Sequence, residues 1–541
     1  MHLMATLSGV TDTGTSADAL PVTLLRGGRI RAPDSRQPSG APATAMVVRG
    51  SAIEFVGSDS GASDFLERMG RAPDETVRLD GALVTPAFVD AHVHTTSTGL
   101  ALTGLDLTEI TSLTELLAAV EADARRNRGG AVVGHGWDET RWPEGRPPTR
   151  EELDRASYGG VVYLSRVDVH SAVVSSALLA VAPEIRAQPG YADSGHVSRD
   201  AHHVARGVVR EALTTGQRQA AQRSALRRAA ELGIGAIHEL AGPDISSEDD
   251  LRSLLEMVAA SPYLPEVIPY WGELGGVERA RELGALGAAG DLFADGAIGS
   301  HTACLRTAYA DLDTSGFAYL TASQVRDHAV ACTRAGIQAG FHAIGDGAME
   351  AVVRGFQEAA DIVGTQAMRQ VRHRIEHAEM IEPWMVATMA RLGVYASVQP
   401  AFDRLWGGAT GMYAHRLGPA RALTLNPYAA MQAGGVVLAL GSDSPVTPLD
   451  PWGTVRAAVF HHVPEQRMSL TDAFAAHTVG GWRVARRDAE GALERGAPAT
   501  YAVWDTASAD GTDLPDLSPE ADMPRCLRTV TRGQTIFGSP S

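Results

Sequence analysis

Residues 88–94 read FVDAHVH, an apolar run that closes on two histidines, His92 and His94. In a strand, residues two apart point to the same side, so both imidazoles face one way. An HxH pair by itself is common and mostly structural. Its meaning depends on what the rest of the chain places beside it.

Downstream, seven further apolar runs read as strands: IGAIHEL, PEVIPYWG, DLFADG, IQAGFHAIGD, VRHRIEHAE, VYASVQP and VVLALGSDS. Ala- and Arg-rich helical stretches separate them, the alternation of a parallel α/β fold. Eight such units predict a (β/α)8 TIM barrel over residues 86–487, with its site at the C-terminal strand ends. Most of these runs do end in His, Asp or Glu. His342 ends GIQAGFH, His377 ends RHRIEH, and Asp443 ends VVLALGSD. With His92 and His94 they offer four neutral nitrogens and one carboxylate, a set suited to zinc or a similar divalent ion, one or two per chain.

Outside the barrel, residues 1–21 read as an N-terminal tail without the basic start and apolar block of a signal peptide. Short alternating runs at 22–85 and again at 488–541 predict a small β-sandwich domain built from both chain ends. More than a hundred residues, about 95–218, separate the first barrel strand from the second. That is too long for a βα loop and predicts an inserted subdomain over the barrel mouth.

Composition excludes several function classes. The 541 residues carry a net charge of −17, so no basic surplus exists to neutralise nucleic-acid phosphates. No apolar run approaches the roughly 18 residues a membrane span needs. Three cysteines at unrelated spacings predict neither a zinc knuckle nor a disulfide framework, and a reducing cytoplasm is the expected compartment. Every Lys or Arg position in the chain is arginine. With no lysine there is no Schiff base and no carbamylated lysine to bridge two metal ions.

The ordered series VTPAFVDAHVH, FADGAIGSHTA, HAIGDGA, RIEHAEM and LGSDSPV resembles the metal-dependent amidohydrolase superfamily. It is most similar to the branch that contains N-substituted formamide deformylases. GWDETRWPEGRPPTREELD and YLSRVDVHSAVVSSALL resemble that branch's inserted subdomain. The resemblance implies ligation by His92, His94, His342, His377 and Asp443, with Asp443 as general base toward a water activated by the metal. It implies a small-molecule substrate, and a homodimer is an expectation of the resemblance alone. The expected reaction is hydrolysis of an N-formyl or N-acyl amide, with His377 or the metal supporting the oxyanion. A deaminase or cyclic-amide hydrolase, or a non-hydrolytic barrel acting as binding protein or decarboxylase, stays open.

Two departures stand out. Many members of the branch carry a lysine two residues before Phe-Ala-Asp-Gly, where this chain has Asp291. Three roles are open to Asp291: a metal ligand, a partner orienting a ligand, or the mate of an arginine. His301 stands where the branch usually shows arginine. Asp295, His301, Trp137, Asp168 and His170 are expected on the substrate side, the last three with a structural hydrogen-bonding role as the alternative.

Overall fold

The computed structural model describes residues 20–31, 43–127, 130–506 and 514–538, a mixed α/β fold. Most of the expected N-terminal tail lies outside the described residues.

The FVDAHV run forms a strand, Phe88–Val93. It pairs in parallel with Ile234–Ala241, which pairs in parallel with Glu266–Trp271. A second sheet runs Gly287–Ala288, Gln338–Ala343, Arg374–His377, Tyr395–Val398 and Leu438–Leu440, parallel throughout and in chain order. Backbone bonds link the edges of the two sheets. Leu286 N–H donates to Pro269 O and Ala289 N–H to Trp271 O. On the other side Asp443 N–H donates to His92 O and His94 N–H to Ser444 O. Helices such as Glu248–Ala259, Ala322–Ala335, Asp346–Val363 and Pro383–Leu392 lie between successive strands. Parallel neighbours need such crossovers, and the arrangement is consistent with the expected barrel.

The fourth strand differs from its expected position. DLFADG begins after the regular pairing at Gly287–Ala288 has ended. Gly290, at φ +102°, breaks the extended run, a conformation that glycine tolerates without a steric penalty. The chain then continues beside Gln338–Ala343 through two bonds, His342 N–H to Leu292 O and Ala294 N–H to His342 O. Asp291 is therefore set beyond the strand's end, where the other strands also place their polar residues.

An eight-stranded sheet contains strands from both chain ends, in the order Gln534–Phe537, Arg525–Thr531, Tyr501–Asp505, Leu83–Pro86, Val22–Ile30, Ala43–Arg49 and Ala52–Gly57. Glu75–Arg78 pairs on Val22–Ile30. Its strands alternate as period-two patterning requires: Leu25, Met46 and Val48 pack on one face, while Val22, Leu24 and Val47 pack with Ala62 and Leu66 of the helix Asp59–Met69. Trp504 carries this sheet into the central core. Its indole donates to Thr85, and its rings pack edge-on against Phe88 and Trp452.

Within the long interval between the first two central strands lies a five-stranded sheet: Leu105–Asp106, Val132–Trp137, Val162–Arg166, Ser171–Val174 and His196–Ser198. The helix Arg199–Glu211 follows it, and Thr215–Glu231 leads back to the second central strand. Among the described residues no helix is long and apolar enough to cross a membrane. The three cysteines are unpaired.

Candidate metal centre

Four histidines and two aspartates meet at the C-terminal ends of the central strands, all buried. Asp443 Oδ1 lies 3.1 Å from His92 Nε2 and 3.2 Å from His94 Nε2. Asp291 lies between two pairs. Its Oδ2 is 3.0 Å from His94 Nε2 and 3.4 Å from His92 Nε2, while its Oδ1 is 3.4 Å from His342 Nδ1 and 3.6 Å from His377 Nε2. Ligand atoms of His92, His94, Asp291 and Asp443 fall within 4.8 Å of one another, as do those of Asp291, His342 and His377.

Each imidazole is fixed by an acceptor on its other nitrogen. His92 Nδ1–H donates to Glu376 (3.1 Å), His94 Nδ1–H to Leu240 O (3.1 Å), His377 Nδ1–H to Gln399 Oε1 (2.9 Å) and His342 Nε2–H to Gly296 O (3.3 Å). This sets the tautomers and leaves four lone pairs turned into one space. His92 Nε2, His342 Nδ1, His377 Nε2 and Asp291 Oδ1 are buried without a hydrogen bond. Orphaned buried groups cost about 1–3 kcal/mol each, so their convergence fits a cation. Electrostatics agrees. Burial would lower the pKa values of His92 and His94, but the two carboxylates raise His92 well above the ordinary range and His94 to about 9. The same space favours positive charge from any source.

Supporting residues hold the cluster rigid. Glu376 is gripped by Arg374, whose guanidinium also bonds Ala91 O, so a buried arginine–carboxylate pair stands behind His92. Asp90 accepts backbone N–H bonds from His92 and Ser442, pinning the first and eighth strands together. His377 and Asp443 have φ of +69° and +55°. That conformation costs about 1–3 kcal/mol per non-glycine residue and concentrates at functional sites. It also explains how His377 reaches the cluster although strand alternation would send it away from Glu376.

Two cavities open on the cluster. The larger is walled by His94, Asp291, His342, His377 and Asp443 and by residues of the inserted segment. The smaller runs past His170, Glu379, Trp406 and Tyr413. His170 faces both and makes no side-chain hydrogen bond with the described residues. Burial, with His342 and Arg206 beside it, holds its pKa well below the ordinary value, so it is neutral.

The remaining expected substrate residues fall elsewhere. Asp295 is not at the rim. It is fully buried and accepts N–H bonds from Ile344, Gly345 and Cys304, so its carboxylate is spent on holding the loop's backbone. His301 bonds Asp311 at 3.0 Å and lines neither cavity. Trp137 is buried with its indole donating to Leu164 O. Asp168 reaches the smaller cavity, but its oxygens are held by Arg166 and Ser300. Glu376 and Gln399 were not singled out from the sequence. The same-side spacing of Arg374 and Glu376 in RIEH was the available signal, and only the neighbouring strand shows what they support.

Comparison with known proteins places this arrangement in context. Residues 75–537 match the Amidohydrolase family. The N-substituted formamide deformylase of Arthrobacter pascens is 25% identical over 511 residues, covering 86% of this chain and 91% of that protein. Protein LONG AFTER FAR-RED 3 of Arabidopsis thaliana is 28% identical over 540 residues, covering 90% and 88%. The crystal structure of an uncharacterized metal-dependent hydrolase from Pyrococcus furiosus is 27% identical and covers 90% of this chain and 99% of its own, with a TM-score of 0.69. Since the match spans every strand that delivers a residue to the cluster, the chain belongs to the amidohydrolase family.

Proposed function

We propose that the protein hydrolyses a linear amide-type C–N bond, N-formyl or N-acyl, in a small molecule, on a (β/α)8 barrel flanked by the two-ended β domain and the inserted subdomain. The observation that carries the reading is the convergence of four tautomer-fixed histidines with Asp291 and Asp443 on an open cavity. The residues would hold two divalent ions, with zinc the expected metal. His92, His94 and Asp443 face one position, His342 and His377 the other, and Asp291 offers one oxygen to each. When bound, such ions lower the pKa of a water to about 7 and polarise a carbonyl.

The chain supplies the rest. Asp443, ionised because the adjacent histidines outweigh the effect of burial, is placed to take a proton from the attacking water and return it to the leaving nitrogen. His377 has already committed its N–H to Gln399, which favours a ligand's role over an oxyanion donor's. His170, neutral and with a free ring N–H, is the better-placed donor to the carbonyl oxygen. The expected setting is cytoplasmic, with no nucleic-acid or membrane partner, and the protein as a homodimer.

Metal analysis followed by assays on N-formyl amines, N-acyl amino acids and cyclic amides tests the reading. Hydrolysis of a linear amide that falls at least 1,000-fold in Asp443→Asn, with the fold intact, supports it. Turnover confined to cyclic amides or deamination, or a metal-loaded protein inert to the whole panel, overturns it.

A further inference from the structure

The larger cavity has a wall that the hydrolytic chemistry leaves unused. The helix Arg199–Glu211 carries Arg206 and Arg210, four residues apart and therefore on one face. Both line the same cavity as Asp291, Asp443 and His342. Their guanidinium groups are poorly satisfied. Arg206 donates one Nη2 bond to Asp244 O at 2.5 Å, but its Nε is buried without an acceptor. The Arg210 guanidinium has no hydrogen bond or ion pair among the described residues.

Acids nearby do not neutralise the pair directly. Asp250 shares the cavity wall, but its oxygens accept from Thr96 Oγ1 at 2.8 Å and Gln222 Nε2 at 3.2 Å. Glu239 is occupied by Thr95, and the Asp244 carboxylate faces His203 at 3.7 Å. Burial, and then the neighbouring Arg206 charge, pull the Arg210 pKa down, and the more distant carboxylates of Asp250, Glu211 and Asp244 offset this only in part. The same cavity is also lined by the apolar side chains of Leu100, Val133, Val209, Leu213, Ile245 and Phe293. His301 does not face this space, and the two arginines that do both belong to the helix Arg199–Glu211.

We propose that Arg206 and Arg210 form an anion subsite, and that the substrate is an amide carrying a carboxylate joined to the scissile bond through an apolar body. Two guanidinium groups with free donors suit a carboxylate, which accepts paired N–H bonds. The reacting end of this proposal rests on the amide-hydrolase reading, whereas the anion subsite stands on its own geometry.

The test uses the metal-loaded protein and a matched pair of hydrolysis-resistant probes, N-methylsulfonyl-6-aminohexanoate and its carboxamide, with affinity measured by calorimetry. The wild type should bind the carboxylate at least 10-fold more tightly. Arg206→Gln/Arg210→Gln should abolish the preference while metal content and thermal midpoint stay the same, which separates this subsite from carboxylate binding at the metal. Arg210→Gln alone removes no native bond and should lose most of the preference even if the double variant folds poorly. Equal affinity for the two probes in the wild type, or a preference unchanged in Arg210→Gln and the double variant, overturns the proposal. Parallel assays of N-formyl-6-aminohexanoate and its carboxamide separate the two readings. A carboxylate preference in binding, with no turnover of either amide or of the wider amide panel, supports the subsite and rejects the hydrolase.

Discussion

Asp291 is the residue on which the metal count turns. Its two oxygens face separate histidine pairs, a geometry a short carboxylate achieves because Gly290 lets the chain kink beneath it. Asp291→Ala should reduce bound metal from two ions per chain to one or none, read by elemental analysis of the dialysed protein. Two ions retained would refute a bridging role. With no lysine to carbamylate, metal loading and turnover should also be independent of bicarbonate. Stimulation by bicarbonate would show that an added anion, and not Asp291 alone, completes the site. Among the three roles the sequence left open, pairing with an arginine is not what the structure shows, since the neighbours of Asp291 are histidines.

At the scale of elements, the inserted segment is strapped to the rest by buried charge. Arg166 bonds Asp138, Glu139 and Asp168, and Glu139 also takes Arg416 from the helix Met412–Leu417. Burial would raise the Glu139 pKa, but Arg166 and Arg416 outweigh it and lower it to about 2. A carboxylate depressed on folding contributes stability above its unfolded pKa near 4.5 and loses it as pH falls toward 2. The contribution is roughly 3 kcal/mol. Amide-exchange protection, corrected for the intrinsic rate, should therefore fall in 132–174 and 412–417 between pH 4.5 and 2.5, and Arg416→Gln should move the onset to higher pH. Protection unchanged across that window would count against the strap. A second junction is steric. The helix Thr95–Thr103 crosses Thr215–Glu231 so closely that a Cβ on Gly99 would sit 1.9 Å from Ala221 O. Gly99→Ala should cost about 1–3 kcal/mol in urea unfolding, and because His94 caps that helix it should weaken metal retention as well.

Across the whole molecule, the terminal sheet and the central strands share one core at Trp504. Trp504→Ala should lose about 3–5 kcal/mol and lower a single cooperative transition in calorimetry. Two separated transitions would show that the units unfold independently. The shared core also bears on legibility. Strand runs ending in His, Asp or Glu pointed to a parallel α/β chain and to His92, His94, His342, His377 and Asp443, because periodicity and strand-end position are local properties. The expected place of the fourth strand was displaced because a glycine kink is decided by what packs against it. The depth of Asp295 was likewise hidden, since its backbone partners Ile344 and Gly345 lie some fifty residues away.

By itself the sequence determined the donor types, their order along the chain and the exclusion of a lysine-derived bridge, all of which are fixed by residue identity. Only the tertiary structure decided that Asp291 faces both histidine pairs and that Glu376 and Gln399 set the imidazole tautomers. It also decided that two arginines of the inserted segment share the cavity with the cluster. Those are distances between residues far apart in the chain, and they exist only once the strands and the insertion have packed.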